Sequence, residues 1–334
     1  FGMYKVIITT DIADAEFLRI AKEELKGFAD VEQRICHTEE DLIEKLQDAD
    51  ATISIFEPFT ERVFSALPKL KFISVSGIGF NWVDTDAAAA HGVGVCNNPR
   101  YCVEEVADHA ATLICCLCRH IPDYINDVKV HHLWNAPKYK DSVRRMSAMT
   151  LGLIGFGNIA RMLAKRMQGF GMKVLAYDPY LPEDMFAKFG VSRVTSLDEI
   201  YSEADIISLH LHHNAETDKM INAEAFDKMT AKAPIFINVS RGGLVDEDAM
   251  IDAINAGKIS AAGIDAITSE TPDMTTHPLA KMGGNVLLTP HAGYLSVEAL
   301  HNQKITSSQF VRFFLRGEMD KVPLVNGVKV CKKD

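Results

Sequence analysis

The sequence predicts an α/β protein of two doubly wound parallel-sheet domains, one inserted into the other. Three observations predict it. Strand and helix patterns alternate from Tyr4 to Cys96. The alternation then restarts at Thr150, where an apolar strand runs into Gly155-Phe-Gly-Asn-Ile-Ala160 and a helical pattern. Beyond Pro290, a last amphipathic helix over 296 to about 316 and a basic tail return to the first domain. The expected division is 3–102 with 292–334 for the outer domain and 103–291 for the inserted one.

The totals narrow the function classes. A chain of 334 residues can bury two separate cores. A formal charge of −10 argues against a nucleic-acid partner or an anionic membrane surface. No apolar run reaches membrane-spanning length, and no basic region followed by an apolar core and cleavage site marks a signal peptide. Seven cysteines form no framework spacing, and Cys115, Cys116 and Cys118 fall in an apolar helical run. They read as thiols of a reducing compartment, which predicts a cytoplasmic protein without a metal or disulfide site.

In the outer domain, 4–10, 31–35, 51–55, 71–75 and 93–96 read as strands. Residues 14 to about 28 and 38 to about 47 read as amphipathic helices, the second with Thr38 and Asp41 as its N-cap. After the fourth strand, Ser76-Gly-Ile-Gly-Phe-Asn-Trp-Val-Asp84 carries two glycines. Their backbone N–H groups could hold a carboxylate, or the segment is a plain strand-to-helix turn. Asn97-Asn-Pro99 breaks the pattern, and a long helix from 103 to about 119 follows. It opens with Glu104, Glu105, Asp108 and His109; the acids suit the helix dipole, and His109 reads as structural. The stretch 122–149, with Trp134 and Pro137, reads as irregular, a surface arm or a partner contact.

In the inserted domain the strands are 150–154, 173–177, 205–209, 235–239, 261–264 and 286–288. Strand, Gly155-x-Gly157-x-x-Ala160 and helix make the dinucleotide-binding turn of a Rossmann domain. Gly155 permits the turn, Gly157 admits a pyrophosphate to the backbone, and Ala160 lets helix and strand pack closely. The helix N-terminus offers N–H groups to the phosphates. Asp178 ends the next strand, where a carboxylate accepts from a ribose 2′-OH. Asp178-Pro-Tyr180 lacks the arginine of a 2′-phosphate reader, so NAD(H) is expected rather than NADP(H).

Hydride transfer to a 2-oxo acid needs a cation for the carboxylate, an acid for the carbonyl oxygen, and a partner that keeps that acid protonated. Asn238-Val-Ser-Arg-Gly-Gly-Leu-Val-Asp246 offers Arg241 just after a strand, its planar fork suited to a carboxylate. Thr289-Pro-His-Ala-Gly293 offers His291 at another strand end. Asp265 and Glu270 are both candidate carboxylate partners.

These motifs carry a resemblance. The chain is similar to the NAD-dependent D-2-hydroxyacid dehydrogenases over nearly its full length, through Gly155 to Ala160 with Asp178, 238–246, Asp265 through Glu270-Thr-Pro272, and Thr289-Pro-His291. The resemblance implies a Rossmann NAD-binding domain inserted into a flavodoxin-like substrate domain, a cleft that closes on ligand, and a homodimer. It implies Arg241 as carboxylate clamp, His291 as acid/base and Glu270 as its partner. Substrate contacts would come from Ile78, Gly79, Arg241 and His291. Cofactor contacts would come from Ile78, Gly155, Gly157, Asn158, Ile159, Asp178, His210, Thr217, Val239, Ser240, Asp265 and Gly293, with Asp265 meeting the nicotinamide amide. The small partner would be a 2-oxo or 2-hydroxy acid.

Within that family the chain looks closest to the branch of phosphoglycerate dehydrogenases and C-terminal-binding-protein corepressors, through 97–109 and 290–296. It departs from the pattern at His212 and His213, which stand where the family usually has proline and leucine. An adenosine-contacting loop is expected there rather than a metal site. Val75 and Ser54 stand where phosphoglycerate-using relatives commonly have cations, and Ile55, Phe56 and Tyr101 point to a neutral, partly apolar pocket. The competing readings are an NAD(H)-sensing corepressor-like scaffold, a D-3-phosphoglycerate dehydrogenase, and an enzyme of formate or phosphite.

Overall fold

The computed structural model describes residues 3–328. They form two compact units, 3–102 with 296–328 and Val103–Leu295.

In the first unit, β1 (Tyr4–Thr10), α1 (Ala15–Glu24), β2 (Ala29–Ile35), α2 (Glu39–Lys45), β3 (Ala51–Ser54), α3 (Glu61–Ala66), β4 (Phe72–Val75), α4 (Thr85–Ala90) and β5 (Gly94–Cys96) alternate along the chain. The strands are parallel in the order β2-β1-β3-β4-β5, the flavodoxin-like order, which reverses between β1 and β3. Alternate residues of β1 serve opposite cores, because side chains of a strand alternate between faces. Ile7 packs with Leu42, Val63 and Phe64. Val6 and Ile8 pack with Phe17, Phe72 and Phe314. Phe314 lies on the chain's last long helix, Val297–Leu315, and stacks on Phe72 at 4.1 Å. Helix α2 has the expected start: Thr38 and Asp41 form a reciprocal capping box. Helix α1 is shorter than its pattern, ending at Glu24, because the chain reverses through Gly27 at φ 74 and enters β2 two residues early.

The second unit starts with α5 (Val103–Cys118) and α6 (Ile121–Lys129). Helix α6 corrects the expectation of an irregular stretch. Pro122 falls in its first turn, where a missing N–H costs nothing. The irregular part is confined to the segment after it, with two short 3-10 turns. Then come β6 (Thr150–Ile154), α7 (Asn158–Gly169), β7 (Lys173–Tyr177), α8 (Glu183–Lys188), β8 (Ser192–Arg193), α9 (Leu197–Glu203), β9 (Ile206–Leu209), α10 (Ala223–Met229), β10 (Ile235–Asn238), α11 (Glu247–Asn255), β11 (Ala261–Ile264) and β12 (Val286–Leu288). The sheet is parallel in the order β12-β11-β10-β9-β6-β7-β8. Strand β8 is additional to the expected set; two residues are too short to show a period. The order reverses between β6 and β9, which is where ligands bind in open α/β sheets.

Among the described residues, no helix is long and apolar enough to cross a membrane. Burial pushes the Cys36 thiol up to about 11 and those of Cys96 and Cys118 to about 12, so these cysteines are inert side chains of the cores.

Candidate active site

The candidate residues of the second unit lie at the carboxyl ends of its strands, in the loops that follow them, or, for Asn158 and Ile159, in the first turn of α7. The turn after β6 comes first. Gly155 takes φ 88, and a Cβ there would stand 2.4 Å from the His210 carbonyl oxygen. Only glycine fits both conditions. Gly157 N-caps α7, and Gly157 and Asn158 are exposed, with Ile159 half-buried behind them. Backbone N–H groups of a helix start therefore face outward from the switch point, as an anion-binding turn requires. Asp178 follows β7 and buttresses that turn: its Oδ2 accepts from the Phe156 N–H at 3.0 Å and its Oδ1 from the Tyr180 N–H at 3.0 Å. Each oxygen keeps a lone pair for a further donor.

The loop after β9 begins at His210, whose N–H donates to the Ile154 carbonyl and whose Nε2 lies 2.9 Å from Ser208 Oγ. Thr217 Oγ1 donates to the His212 carbonyl at 2.7 Å and closes the loop. His213 lies 2.7 Å from Asp218 Oδ1, and its ring occupies the space over Gly243, where a Cβ would approach it within 2.5 Å. The imidazole thus fills the position of an absent side chain.

After β10 the chain turns through Val239, Ser240 and Arg241. Asn238, 1% exposed, organises this turn. Its Oδ1 accepts from the Ser240 N–H at 3.0 Å and its Nδ2 donates to the Arg241 carbonyl at 3.0 Å. Ser240 Oγ donates to Leu209 O at 2.7 Å and ties the turn to β9. Arg241 Nη1 donates to the Ser240 carbonyl at 2.7 Å. Gly242 lies against the backbone of Ile267, where a Cβ would meet the carbonyl carbon at 2.0 Å.

Strands β11 and β12 hold the other half. Asn238, Ile264 and Leu288 are in register across β10, β11 and β12. Arg241 and His291 each come three residues after an in-register strand end, with Asp265 directly after the strand between them. Two strand spacings separate β10 from β12 by about 10 Å. His291 has φ 52, a left-handed conformation that costs a non-glycine residue about 1 kcal/mol or more. Its N–H donates to the Asp265 carbonyl at 2.9 Å, and its Nδ1 lies 2.8 Å from Glu270 Oε2. Glu270 is more than half exposed and His291 about one quarter. The pair leaves Nε2 as the ring nitrogen for a reacting group.

Asp265, the nicotinamide contact that the resemblance implies, is held by the chain's own donors. Its side chain is 2% exposed. Oδ1 accepts from Thr289 Oγ1 at 2.5 Å and the Ala292 N–H at 2.8 Å; Oδ2 accepts from the Gly293 N–H at 2.9 Å. His109 Nε2 stands 2.8 Å from Thr289 Oγ1 and 3.4 Å from Oδ1. Burial pushes this carboxyl up, but the donors from His109, Thr289, Ala292 and Gly293 outweigh it and hold it at about 2. Sequence reasoning gave His109 no part in the site. Its partners Asp265 and Thr289 lie 156 and 180 positions away in the chain.

In the first unit, Ile78 and Gly79 follow β4, and the Ile78 carbonyl accepts from Asn97 Nδ2 at 2.8 Å. Val75 is fully buried. Ser54 is also fully buried and donates to Glu57 Oε2 at 2.6 Å. Glu57, 5% exposed, also accepts from the Ile55 N–H and Thr9 Oγ1, and burial pushes its carboxyl up. Phe56 is 66% exposed and packs at 4.9 Å on the Trp82 ring.

Comparison with known proteins identifies the family. Residues 111–293 match the family model for the D-isomer specific 2-hydroxyacid dehydrogenase NAD binding domain. The chain is 37% identical over 268 residues to the D-3-phosphoglycerate dehydrogenase of Mycobacterium tuberculosis, covering 80% of this chain and 49% of that protein. It is 33% identical over 322 residues to the enzyme of the same name from Synechocystis, covering 95% and 55%. The chain thus spans about half the length of these curated relatives. Among solved structures it is similar to D-lactate dehydrogenase from Aquifex aeolicus complexed with NAD and lactic acid, at 28% identity and a TM-score of 0.85, covering 96% of this chain and 99% of that one.

Proposed function

This chain belongs to the D-isomer specific 2-hydroxyacid dehydrogenase family, and on that premise we propose that it interconverts a small, unphosphorylated 2-oxo acid and the D-2-hydroxy acid, using NAD(H). The observation that carries the reading is the His291–Glu270 pair, 2.8 Å apart at the end of β12.

The residues of the β6 turn fit the cofactor. Gly155 with its positive φ, the exposed start of α7 and Asp178 would hold the pyrophosphate and the adenosine ribose of NAD. We extend this set to Asn158, Ile159, His210, Thr217, Val239, Ser240 and Gly293 by the resemblance. Bound there, the nicotinamide supplies or accepts the hydride. The protein's own part is to bind, orient and move a proton. Arg241 grips the substrate carboxylate, about one small molecule's span from His291. His291, protonated, gives the proton on Nε2 to the carbonyl oxygen; in the reverse direction it takes the hydroxyl proton. Glu270 on Nδ1 fixes the ring and leaves Nε2 for the substrate. Backbone at Ile78 and Gly79 completes substrate binding, a role we take from the resemblance alone.

The relatives named D-3-phosphoglycerate dehydrogenase suggest a phosphorylated substrate. Two residues argue otherwise. Val75 and Ser54 are neutral and fully buried, and Ser54 is bound to the Glu57 carboxyl. A phosphate near that end of the sheet would meet an acid and no cation from either position. Exposed Phe56 on Trp82 offers an apolar surface instead. The test is a panel of 2-oxo acids (glyoxylate, pyruvate, hydroxypyruvate, branched and aromatic acids, phosphohydroxypyruvate) scored by NADH and NADPH oxidation. The expected result is turnover of unphosphorylated acids with NADH, at least about tenfold above phosphohydroxypyruvate in kcat/KM. A preference for the phosphorylated acid overturns the substrate assignment.

We also propose a homodimer formed through the arm after α5, and a cytoplasmic location in keeping with the free thiols. On α6, Ile121, Ile125 and Val128 recur at i, i+4 and i+7, all more than 40% exposed, followed by Val130, Leu133 and Trp134, the last 92% exposed. Contiguous exposed apolar residues of this kind mark an interface. The doubly charged variant Ile125→Asp with Trp134→Asp is expected to sediment as a monomer where the unaltered chain sediments as a dimer. A monomeric unaltered chain at micromolar concentration rejects the dimer.

A further inference from the structure

We propose that His109 is a positioning residue for the acid/base turn, acting on His291 through Thr289 and the buried carboxylate of Asp265. The proposal rests on the reading of His291 as the acid/base.

The starting point is an awkward backbone. Residues 289–293 form a tight turn with His291 in the left-handed region. A histidine does not hold that conformation unless its surroundings fix it. What fixes it is a carboxylate used as a post. The turn wraps around Asp265: its side chain collects the hydroxyl of Thr289 and the N–H groups of Ala292 and Gly293, and its carbonyl takes the N–H of His291 itself. Four successive contacts therefore bracket His291 from both sides. Asp265 is in turn fixed to β10, its N–H donating to the Asn238 carbonyl at 2.9 Å.

Hydrogen-bond direction then assigns a task to His109. The Thr289 hydroxyl has one hydrogen, and the ionised carboxylate beside it can only accept. Thr289 must therefore donate to Asp265. The contact at 2.8 Å between Thr289 Oγ1 and His109 Nε2 must run the other way, with the ring nitrogen donating to the hydroxyl oxygen. His109 is thus the head of a chain, imidazole N–H to hydroxyl to carboxylate, and it lies within 3.4 Å of the same carboxylate oxygen. This fixes the hydroxyl rotamer. Without His109, the hydroxyl is free to turn and the post loses one of the groups that order it.

Helix α5 is a suitable base for such a strut. Val106, Ala110, Leu113 and Leu117 form a buried stripe at i, i+4, i+7 and i+11, and His109 lies beside it, three residues after Val106. The helix packs on β10 and β11, the strands that lead into Arg241 and Asp265. His109 reaches the acid/base turn through Thr289 and Asp265, so its part is positioning and not proton transfer. Its effect is on where the acid/base sits, and an error of about 1 Å there is worth up to about a hundredfold in rate.

The experiment compares His109→Leu, His109→Gln and Thr289→Val with the unaltered protein in the 2-oxo acid assay. Thermal melting and NADH fluorescence titration are run on each. The expected result for His109→Leu is a fall in kcat of about 10- to 100-fold, with KM and NADH affinity within about threefold. His109→Gln, whose amide N–H can replace the imidazole donor, is expected to recover kcat to within about fivefold. Thr289→Val should match His109→Leu, and the double variant should be no worse than either, because both cut one chain. The proposal is overturned if His109→Leu keeps kcat within about twofold. It is equally overturned if kcat and melting temperature fall together without rescue by glutamine, which is the mark of a role in folding only. His291→Ala in the same assay separates the two ideas. If that variant retains turnover, the acid/base reading fails; if it is inactive while His109→Leu is normal, only the positioning role fails.

Discussion

Replacing His291 by alanine is expected to lower kcat for 2-oxo acid reduction by about 100- to 10,000-fold while NADH affinity stays within about twofold. The reason is a proton that no neighbour can supply as well. As hydride reaches the carbonyl carbon, negative charge gathers on the oxygen, and a positioned acid removes it in the same step. His291 is the group at the end of β12 that can carry that proton, with its other nitrogen 2.8 Å from Glu270. Glu270→Gln keeps the ring's hydrogen-bond partner but removes its charge. It should therefore retain more activity than His291→Ala, with a loss of about 10- to 100-fold. Steady-state kinetics with a saturating 2-oxo acid and fluorescence titration of NADH distinguish the two effects. Wild-type turnover in His291→Ala would place the acid elsewhere and remove the central assignment.

The parts of this site differ in how far the amino-acid sequence discloses them. The β6 turn was legible because it joins two periods, a strand and a helix, through residues that tolerate few alternatives. Gly155 has a positive φ and a carbonyl pressed against it, so its identity is dictated locally. Arg241 and His291 were legible as strand-end residues for a similar reason: β10 and β12 are short apolar runs that stop at polar, glycine-containing turns. The doubly wound order of both sheets follows from alternation plus the right-handed crossover. Helix α6 was hidden by Pro122, which disrupts a helix only beyond its first turn. It was hidden too by its apolar face, which is exposed rather than part of a core.

What sequence did not disclose is mostly polar and long-range. The His109–Thr289–Asp265 chain joins three residues from three elements, and no spacing rule connects them. Asn238 looks in sequence like the last residue of a strand, yet its amide holds the Arg241 turn from both sides. Glu57 was unremarked because an isolated glutamate in a loop is normally solvated; its burial beside Ser54 depends on three donors converging on one oxygen. The packing of the His213 ring over Gly243 is of the same kind, since nothing local says that Gly243 leaves a space of its size. In each case the missing information is a tertiary neighbour. Buried polar groups are informative because they must be satisfied, and the partner that satisfies them is set by the fold.

Replacing Arg241 by alanine is expected to lower kcat/KM for every 2-oxo acid by about 100- to 10,000-fold, while NADH affinity changes little. The magnitude follows from removing one member of a charge-assisted pair and leaving a substrate carboxylate against protein without a counter-charge, a loss of about 3–5 kcal/mol. Arg241→Lys tests the geometry rather than the charge. Lysine restores the cation but is a flexible point charge without the planar fork, so it should recover only part of the loss, mainly in KM. The turn is built to make that difference matter. Asn238 pins it through the Arg241 carbonyl, Ser240 ties it to β9, and Gly242 lies where even a methyl group would run into the Ile267 backbone. A guanidinium held on so rigid a base has a fixed direction, and a carboxylate held by it leaves the 2-oxo group in a fixed direction too. That is why kcat as well as KM should respond to Arg241→Ala. If only KM rises and kcat is preserved at saturation, Arg241 contributes affinity alone, and the orientation of the carbonyl toward His291 must come from other groups.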